Sequence, residues 1–287
     1  MIELVKKITP DYLKKKYHAR RQRKLKEYVA SLEKISEDKF IEILSNDLGI
    51  KNGDLVMIHS SLDQLNLDFP SINSLNLILN LIGENGTVLF PTFPKLNSYN
   101  FLESGEVFKV HRTPSHMGLL SELARRHTKA VRSIHPTKSV VAIGPLAEEL
   151  CGEHHNSILP YDSQSPFYKI YQRSGKAVGL GVKTTYFSAV HVIDDLIPDK
   201  LPVKPYHKKI YEAKCILKDK SELVVKTPAH DMSKMHFDLP DFFKKHYNNH
   251  LCKDIQIAGS DYFVADLKPL FDDMLNKANN GISIYKY

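Results

Sequence analysis

Cysteine is scarce. Cys151, Cys215 and Cys252 are the only three in 287 residues and stand far apart, so they give neither a disulfide framework nor a paired-cysteine metal knuckle. That usage suits a reducing compartment, and the cytoplasm is the expected location. Long apolar runs are also absent: none approaches the ~20 residues of a membrane-spanning helix. Lysines and arginines interrupt the start of the chain where a secretion signal would carry an apolar stretch. There is no Gly-x-Ser-x-Gly elbow, which leaves a hydrolase serine unsupported. There is no Walker loop, and Gly179-Leu180-Gly181 lacks the third glycine of a dinucleotide fingerprint. No internal repeat or low-complexity tract is visible.

What is present is a globular composition, 42% hydrophobic and 25% charged, with enough length for one large domain. The net charge of +7 is unevenly spread. Residues 6–26 hold ten Lys/Arg and one acid, Asp11, a balance of +9 that leaves −2 for everything else. The body is therefore no basic nucleic-acid binder, and nucleic acid is not an expected partner; the charge belongs to an arm at 1–35. Leu4, Ile8, Leu13, Tyr17, Leu25, Tyr28, Val29 and Leu32 are loosely helical in spacing, broken near Thr9-Pro10. A solvated or oligomer-packing helix, and hence a homodimer, is one reading of the arm. Peripheral contact with the inner face of an anionic membrane through residues 6–26 is another. Residues 36–287 form the remaining domain.

In that domain Ser36 is a helix N-cap and Gly49 a stop, predicting a helix over 37–48. An apolar strand follows at 55–59, a helix at 72–82 and a buried strand at 87–90. Strand, helix, strand within about forty residues is a βαβ unit and requires a parallel pair. The stretch 95–115 reads as a long irregular loop, a class that often carries function. Beyond it come a helix at 117–127, a strand within 139–143 and a proline-punctuated turn at 159–169. The spans 209–218 and 223–227 read as an antiparallel hairpin. A helix at 233–246, strands at 254–258 and 261–265, and a helix at 267–275 complete the pattern.

The stretch 175–195 organises the whole. An apolar run, 177–182, leaves a sheet through Gly179 and Gly181, and Thr184 or Thr185 is positioned to cap a helix carrying His191. Asp194 lies three residues on, on the same helical face. Three apolar strands thus end in special residues: His59-Ser60-Ser61, Pro91-Thr92-Phe93 and Gly179-Leu180-Gly181. Parallel strand ends meet at one edge, where ligands collect. Hydroxyls and amides at Ser60–Leu62 suit a carbonyl or phosphate. Arg132 and His135 suit a phosphorylated ligand. His191, His135, Asp194 and Asp231 are acid–base candidates. For the pair His154-His155, neighbouring side chains point apart and no third ligand is spaced for it, so no metal is expected.

Seven segments in order carry a resemblance. They are Gly53-Asp54 through His59-Ser60-Ser61-Leu62, Gly86 through Pro91-Thr92-Phe93, Thr113-Pro114 through Ser121-Glu122, Arg132-Ser133-Ile134-His135-Pro136, Gly144-Pro145, Pro160-Tyr161-Asp162 through Ser165-Pro166, and Gly179-Leu180-Gly181 through His191 and Asp194. Together, across about 36–275, they resemble the aminoglycoside 3-N-acetyltransferase family. The resemblance implies an α/β fold with a mixed, largely parallel central sheet flanked by helices and an antiparallel hairpin addition, distinct from the GNAT fold. It implies transfer of an acetyl group from acetyl-CoA to the amine of a small-molecule acceptor, with His191 catalytic and Asp231 or Asp194 orienting it. It assigns coenzyme A to Ser60, Ser61, Leu62, Arg132, Ser133, His135, Tyr161 and Ser165, and the acceptor to Asn97, His230 and Asp231. No cysteine lies in a matched segment, which implies direct transfer. Two positions depart from the family: Ala229 stands where a glutamate is common, and Asn97 where resistance members tend to be acidic. A polycation needs carboxylates, so a less charged acceptor is expected, such as an amino sugar of a surface-polysaccharide or nucleotide-sugar pathway. The alternatives are an aminoglycoside resistance enzyme and a non-catalytic coenzyme A-binding relative.

Overall fold

The computed structural model of the chain describes residues 10–247 and 250–285. The arm's first residues, with Leu4, Lys6, Lys7 and Ile8, lie outside the described residues. Ten strands occur among them: β1 (Leu55–Ser60), β2 (Thr87–Pro91), β3 (Phe108–Lys109), β4 (Val131–Arg132), β5 (Val140–Ile143), β6 (Lys176–Leu180), β7 (Tyr206–Ile216), β8 (Glu222–His230), β9 (Cys252–Ile257) and β10 (Ser260–Asp266). Seven form one mixed sheet in the order β4-β5-β2-β1-β6-β10-β9. Its centre is parallel: β1 pairs with β2 on one side and β6 on the other. Both flanks are antiparallel.

Why the central strands read as unbroken apolar runs is now plain. Successive side chains point to opposite faces, and here both faces are covered. Met57, Leu89, Ala142 and Ala177 pack under the helices Pro166–Gln172, Leu239–Tyr247 and Leu267–Asn279. Val56, Ile58, Val88 and Val178 pack under Ser74–Ile82, Leu119–Arg126 and Phe40 of Glu37–Glu42. The predicted hairpin is β7–β8, and β3 pairs parallel to β7 to make a separate three-stranded sheet. It has its own small core around Phe101, Phe108 and Val225.

Several local expectations change. The 37–48 helix is α-helical only over Glu37–Glu42; Ile43–Asp47 is a π-turn, with Leu48 N–H donating to Ile43 C=O at 2.9 Å. The wider turn keeps Phe40, Ile43, Leu44 and Leu48 all buried. The loop at 95–115 contains a helix, Ser98–Ser104, because Asn97 caps it by accepting from Asn100 N–H at 2.8 Å and Gly105 ends it in the left-handed region. The turn at 159–169 gives way to a helix over Pro166–Gln172, capped by Ser165. The helix expected from 233 starts at Leu239, since Pro240 fits only a first turn and Asp238 supplies the cap to Asp241 N–H.

Between β6 and His191 there is no single capped helix. Thr184–Tyr186 and Ser188–His191 are short 3₁₀ turns, followed by the helix Val192–Leu196. Thr184 donates its N–H and hydroxyl to Asp254 at 2.7 and 2.9 Å and so caps nothing.

The arm is a helix, Asp11–Ala30, starting after Pro10. Its apolar residues are not gathered on one side, and Tyr12, Tyr17 and Tyr28 are exposed. Its far end is sewn to the body: Asn66 donates to Leu32 C=O at 2.7 Å, and Ile35 N–H to Asn66 C=O at 2.8 Å. Among the described residues no helix is long and apolar enough to cross a membrane.

Gly181, just after β6, fixes how the chain leaves the sheet. Its φ is +70°, and a Cβ there would lie 2.4 Å from the carbonyl oxygen of Ser61. Gly181→Ala is expected to lower stability by about 1–3 kcal/mol through strain and overlap. Urea unfolding checks this; an unchanged midpoint would mean that the two strand exits are not tightly apposed.

Candidate active site

β2, β1 and β6 lie side by side and parallel, so Thr92, Ser61 and Gly181 emerge at one sheet edge, as the strand-end pattern requires. The chain after β6 then folds back and delivers His191. This imidazole hydrogen-bonds through Nδ1 to Asp194 Oδ2 at 2.7 Å. Asp194 is 1% exposed, and the Tyr285 hydroxyl donates to the same Oδ2. A carboxylate accepting from Nδ1–H leaves the lone pair on Nε2, and no described residue bonds Nε2. His191 itself is 9% exposed, enough for its ring edge to be reached.

Aromatic rings frame this imidazole. Tyr161, Phe237 and His230 lie with centroids 5.5, 5.5 and 5.9 Å away. Asp195, next to Asp194, points to the other side, where it accepts from Tyr161 N–H and the Tyr206 hydroxyl, both at 2.7 Å. Burial pushes its carboxyl well above the usual carboxylate range, against the pull of those two donors. The same burial, with the neighbouring carboxylates, raises the Tyr161 and Tyr206 phenols. Burial likewise drives His230 well below its ordinary value, with Lys138 adding to the effect, so His230 is neutral. His59, inside β1, is brought down to about 3 by burial and meets the Ser188 hydroxyl at 3.1 Å.

The other expected residues divide. Asp231 is not brought to His191. Its carboxylate accepts from the Ser233 N–H and hydroxyl and pairs with Lys234 at 3.0 Å, and these partners hold it down to about 2, the Ser233 hydroxyl first. Asp194 orients the imidazole instead. His230 is brought in, whereas Asn97 is exposed with its side-chain oxygen committed to a helix cap.

On the coenzyme side, Arg132 is buried and uses its guanidinium to hold the carbonyls of Thr92, Val110 and Thr113 and the hydroxyl of Ser139. Ser133 bonds His154 Nδ1 at 2.8 Å, and Ser165 caps a helix. Ser61 donates its N–H to Leu180 C=O and its hydroxyl to Asp63. Leu62 is buried at the start of a 3₁₀ turn. Ser60 Oγ, His135 Nε2 and the Tyr161 hydroxyl, by contrast, are buried polar atoms with no partner. These three are the expected coenzyme residues that retain an open polar atom. Residues 154–156 form a 3₁₀ turn in which His154 is wholly buried, its Nε2 bonding Pro160 C=O at 3.0 Å.

The sequence reading did not pick out Asp195, Tyr206 or Tyr285. Two adjacent aspartates after His191 were a visible signal for the first. Tyr206 and Tyr285 come from distant segments, and nothing in local spacing points to them.

Residues 57–276 match the family described as aminoglycoside 3-N-acetyltransferase. The chain belongs to that family. An aminoglycoside N(3)-acetyltransferase IX of Micromonospora chalcea is 26% identical over 160 residues, which is 50% of this chain and 57% of the relative. An aminoglycoside N(3)-acetyltransferase III of Salmonella sp is 30% identical over 169 residues, 53% of this chain and 59% of the relative. The chain thus spans under three fifths of the length of these curated relatives. A solved structure of AAC-IIIb, a binary complex with CoASH, superposes with a TM-score of 0.71 at 16% identity, covering 89% of this chain and 100% of that one. Likeness at that identity establishes the acetyltransferase-type fold, which is not GNAT.

The assignment of Asp194 as the orienting group has a spectroscopic consequence. The His191 Nδ1 proton should give a downfield proton resonance that Asp194→Ala abolishes and Asp231→Ala leaves in place. The opposite pattern would put Asp231 behind the imidazole.

Proposed function

We propose that this chain transfers an acetyl group from acetyl-CoA to an amino group of an aminosugar-type acceptor, with His191 as general base. The observation that carries the reading is the His191 Nδ1–Asp194 hydrogen bond at the edge where three parallel strands end. The family membership supports it, as do the names of the relatives and the CoASH complex of a structural neighbour.

A protonated amine has no lone pair with which to attack a thioester. His191 Nε2, the ring nitrogen that the Asp194 hydrogen bond leaves free, accepts that proton; such general-base assistance contributes about 10²–10⁴-fold. The amine nitrogen then forms its bond to the acyl carbon as the carbon–sulfur bond breaks. The sulfur departs with the electron pair of that bond and takes up the second proton lost by the nitrogen, which leaves a neutral amide, coenzyme A as free thiol and His191 carrying the first proton. Asp194 steadies the imidazolium through the Nδ1 hydrogen bond. The carbonyl oxygen becomes negative during attack and needs a donor. The Ser60 hydroxyl is buried and unpartnered, whereas the Ser61 amide is held by Leu180. Ser60 is therefore the donor we assign. All three cysteines are buried, and burial raises Cys151 and Cys215 to about 12, which disfavours a thiolate intermediate.

The relatives' names support an aminoglycoside as acceptor. One observation favours a second, less cationic choice: Asn97 and the wholly buried Ala229 carry no carboxylate, at positions where the resemblance leads an acid to be expected.

The test is thiol release from acetyl-CoA with aminoglycosides and with nucleotide-linked amino sugars. His191→Ala is expected to cut kcat by about 10²–10⁴-fold while leaving the Kd for coenzyme A within about threefold. If the variant loses coenzyme A instead, His191 is structural and the proposed chemistry is wrong.

A further inference from the structure

Lys138 is a cation with nothing to answer it. It sits on the turn joining β4 to β5, partly buried, with Nζ 4.5 Å from the centre of the Phe93 ring at the exit of β2. No hydrogen bond or carboxylate reaches its ammonium among the described residues. Burial alone brings it down to about 8, so it remains largely charged at neutral pH. A desolvated lysine without a counter-charge costs stability and is rarely kept without a use. Arg132, six residues earlier, is a second buried cation, whose guanidinium lies over the Phe108 ring and hydrogen-bonds carbonyls and a hydroxyl.

The groups around Lys138 offer protons and lack acceptors. His135 Nδ1 accepts from the Lys138 N–H at 3.1 Å, which places the ring proton on Nε2, and Nε2 is buried with no partner. The Thr137 hydroxyl and the Tyr161 hydroxyl are buried and partnerless too. The Lys138 charge acts on both His135 and His230, and the His230 and Tyr161 rings stand against His191. Of the carboxylates near His191, Asp195 spends its two oxygens on Tyr161 and Tyr206, and Asp194 spends Oδ2 on His191 and Tyr285 while its Oδ1 stays buried and unpartnered. Partnerless buried donors on the same turn as an unpaired ammonium make a complement to an anion.

We propose that Lys138, with His135 Nε2–H and the Thr137 hydroxyl, is an anion subsite on the β4–β5 turn that holds a phosphate group of one of the two reacting molecules. This rests on the acetyltransferase reading given above. The phosphate comes either from coenzyme A or from a phosphorylated amino sugar. In both cases the same charge opposes a polycationic acceptor, which would bring further ammonium groups to a site already positive.

The subsite is tested with Lys138→Met, which removes the charge at similar volume, and Lys138→Arg, which keeps it, each checked for native circular dichroism. Calorimetry compares coenzyme A with pantetheine, and thiol release compares glucosamine 6-phosphate with glucosamine. A donor-side phosphate predicts that Lys138→Met weakens coenzyme A at least tenfold, leaves pantetheine unchanged, and is partly rescued by Lys138→Arg. An acceptor-side phosphate predicts unchanged coenzyme A binding and a KM for glucosamine 6-phosphate raised at least tenfold, with glucosamine unaffected. If Lys138→Met leaves coenzyme A and glucosamine 6-phosphate both within threefold of the unaltered protein, the subsite does not exist. Should no amine be acetylated at all, the acetyltransferase reading fails. The subsite is then decided by calorimetry with coenzyme A and with glucosamine 6-phosphate: a tenfold loss of either in Lys138→Met upholds it, and loss of neither overturns it.

Discussion

An imidazole can take a proton from an amine only through a nitrogen that carries none, and in this chain that condition depends on one hydrogen bond, His191 Nδ1 to Asp194. The rest of the site is arranged to keep that bond in register. Val192 and Ile193 anchor the short helix in the core, so the two residues three apart cannot drift. Tyr285 reaches Asp194 from the far end of the described chain, and Phe237, which forms an isolated bridge with Tyr285, packs its ring on His191. Base, carboxylate and phenol are thus held by three segments that share a single apolar layer under the sheet.

The parts of this arrangement governed by local chemistry could be read directly from the chain. Apolar runs ending in His59-Ser60-Ser61, Pro91-Thr92 and Gly179-Leu180-Gly181 imply parallel strands with a shared edge, and β2, β1 and β6 have that edge. The three-residue step from His191 to Asp194 implies one helical face. The hairpin was legible from two alternating stretches around Asp219-Lys220-Ser221. What escaped was set by tertiary partners. Thr184 looks like a helix cap until Asp254, seventy residues away, takes both its donors. Asp231 has the right neighbours in sequence to serve His191, but Ser233 and Lys234 are closer in space. Arg132 looks like a phosphate ligand, yet three carbonyls from two loops already surround it. A charged side chain's type says what it can bind; only the fold says whether something else has bound it first.

The charges left over are as informative as those that are paired. Glu122, Asp231 and Asp254 each close a loop by accepting from a backbone N–H. Next to the imidazole the Asp194 carboxylate is buried, whereas the unpaired Lys138 lies over Phe93 at the exit of β2. The described part of the basic arm stands apart from this pair: its helix starts after Pro10 and meets the body at its far end, through Tyr28, Val29 and Leu32 beside the β9–β10 turn.

The pairing of β1 with β6 carries a cost in time. Val56 lies beside Lys176, 120 residues further along the chain, and a contact of that span forms only after a large loop has closed. β1 and β2 can pair early, being separated by a single short helix. The edge that collects Ser60, Thr92 and Gly181 exists only once β6 is laid in, and His191 follows β6. The His191–Asp194 pair is therefore among the last parts of the molecule to take shape. A chain still on the ribosome, or one stalled before β6, holds most of the apolar layer on one face of the sheet and lacks that pair.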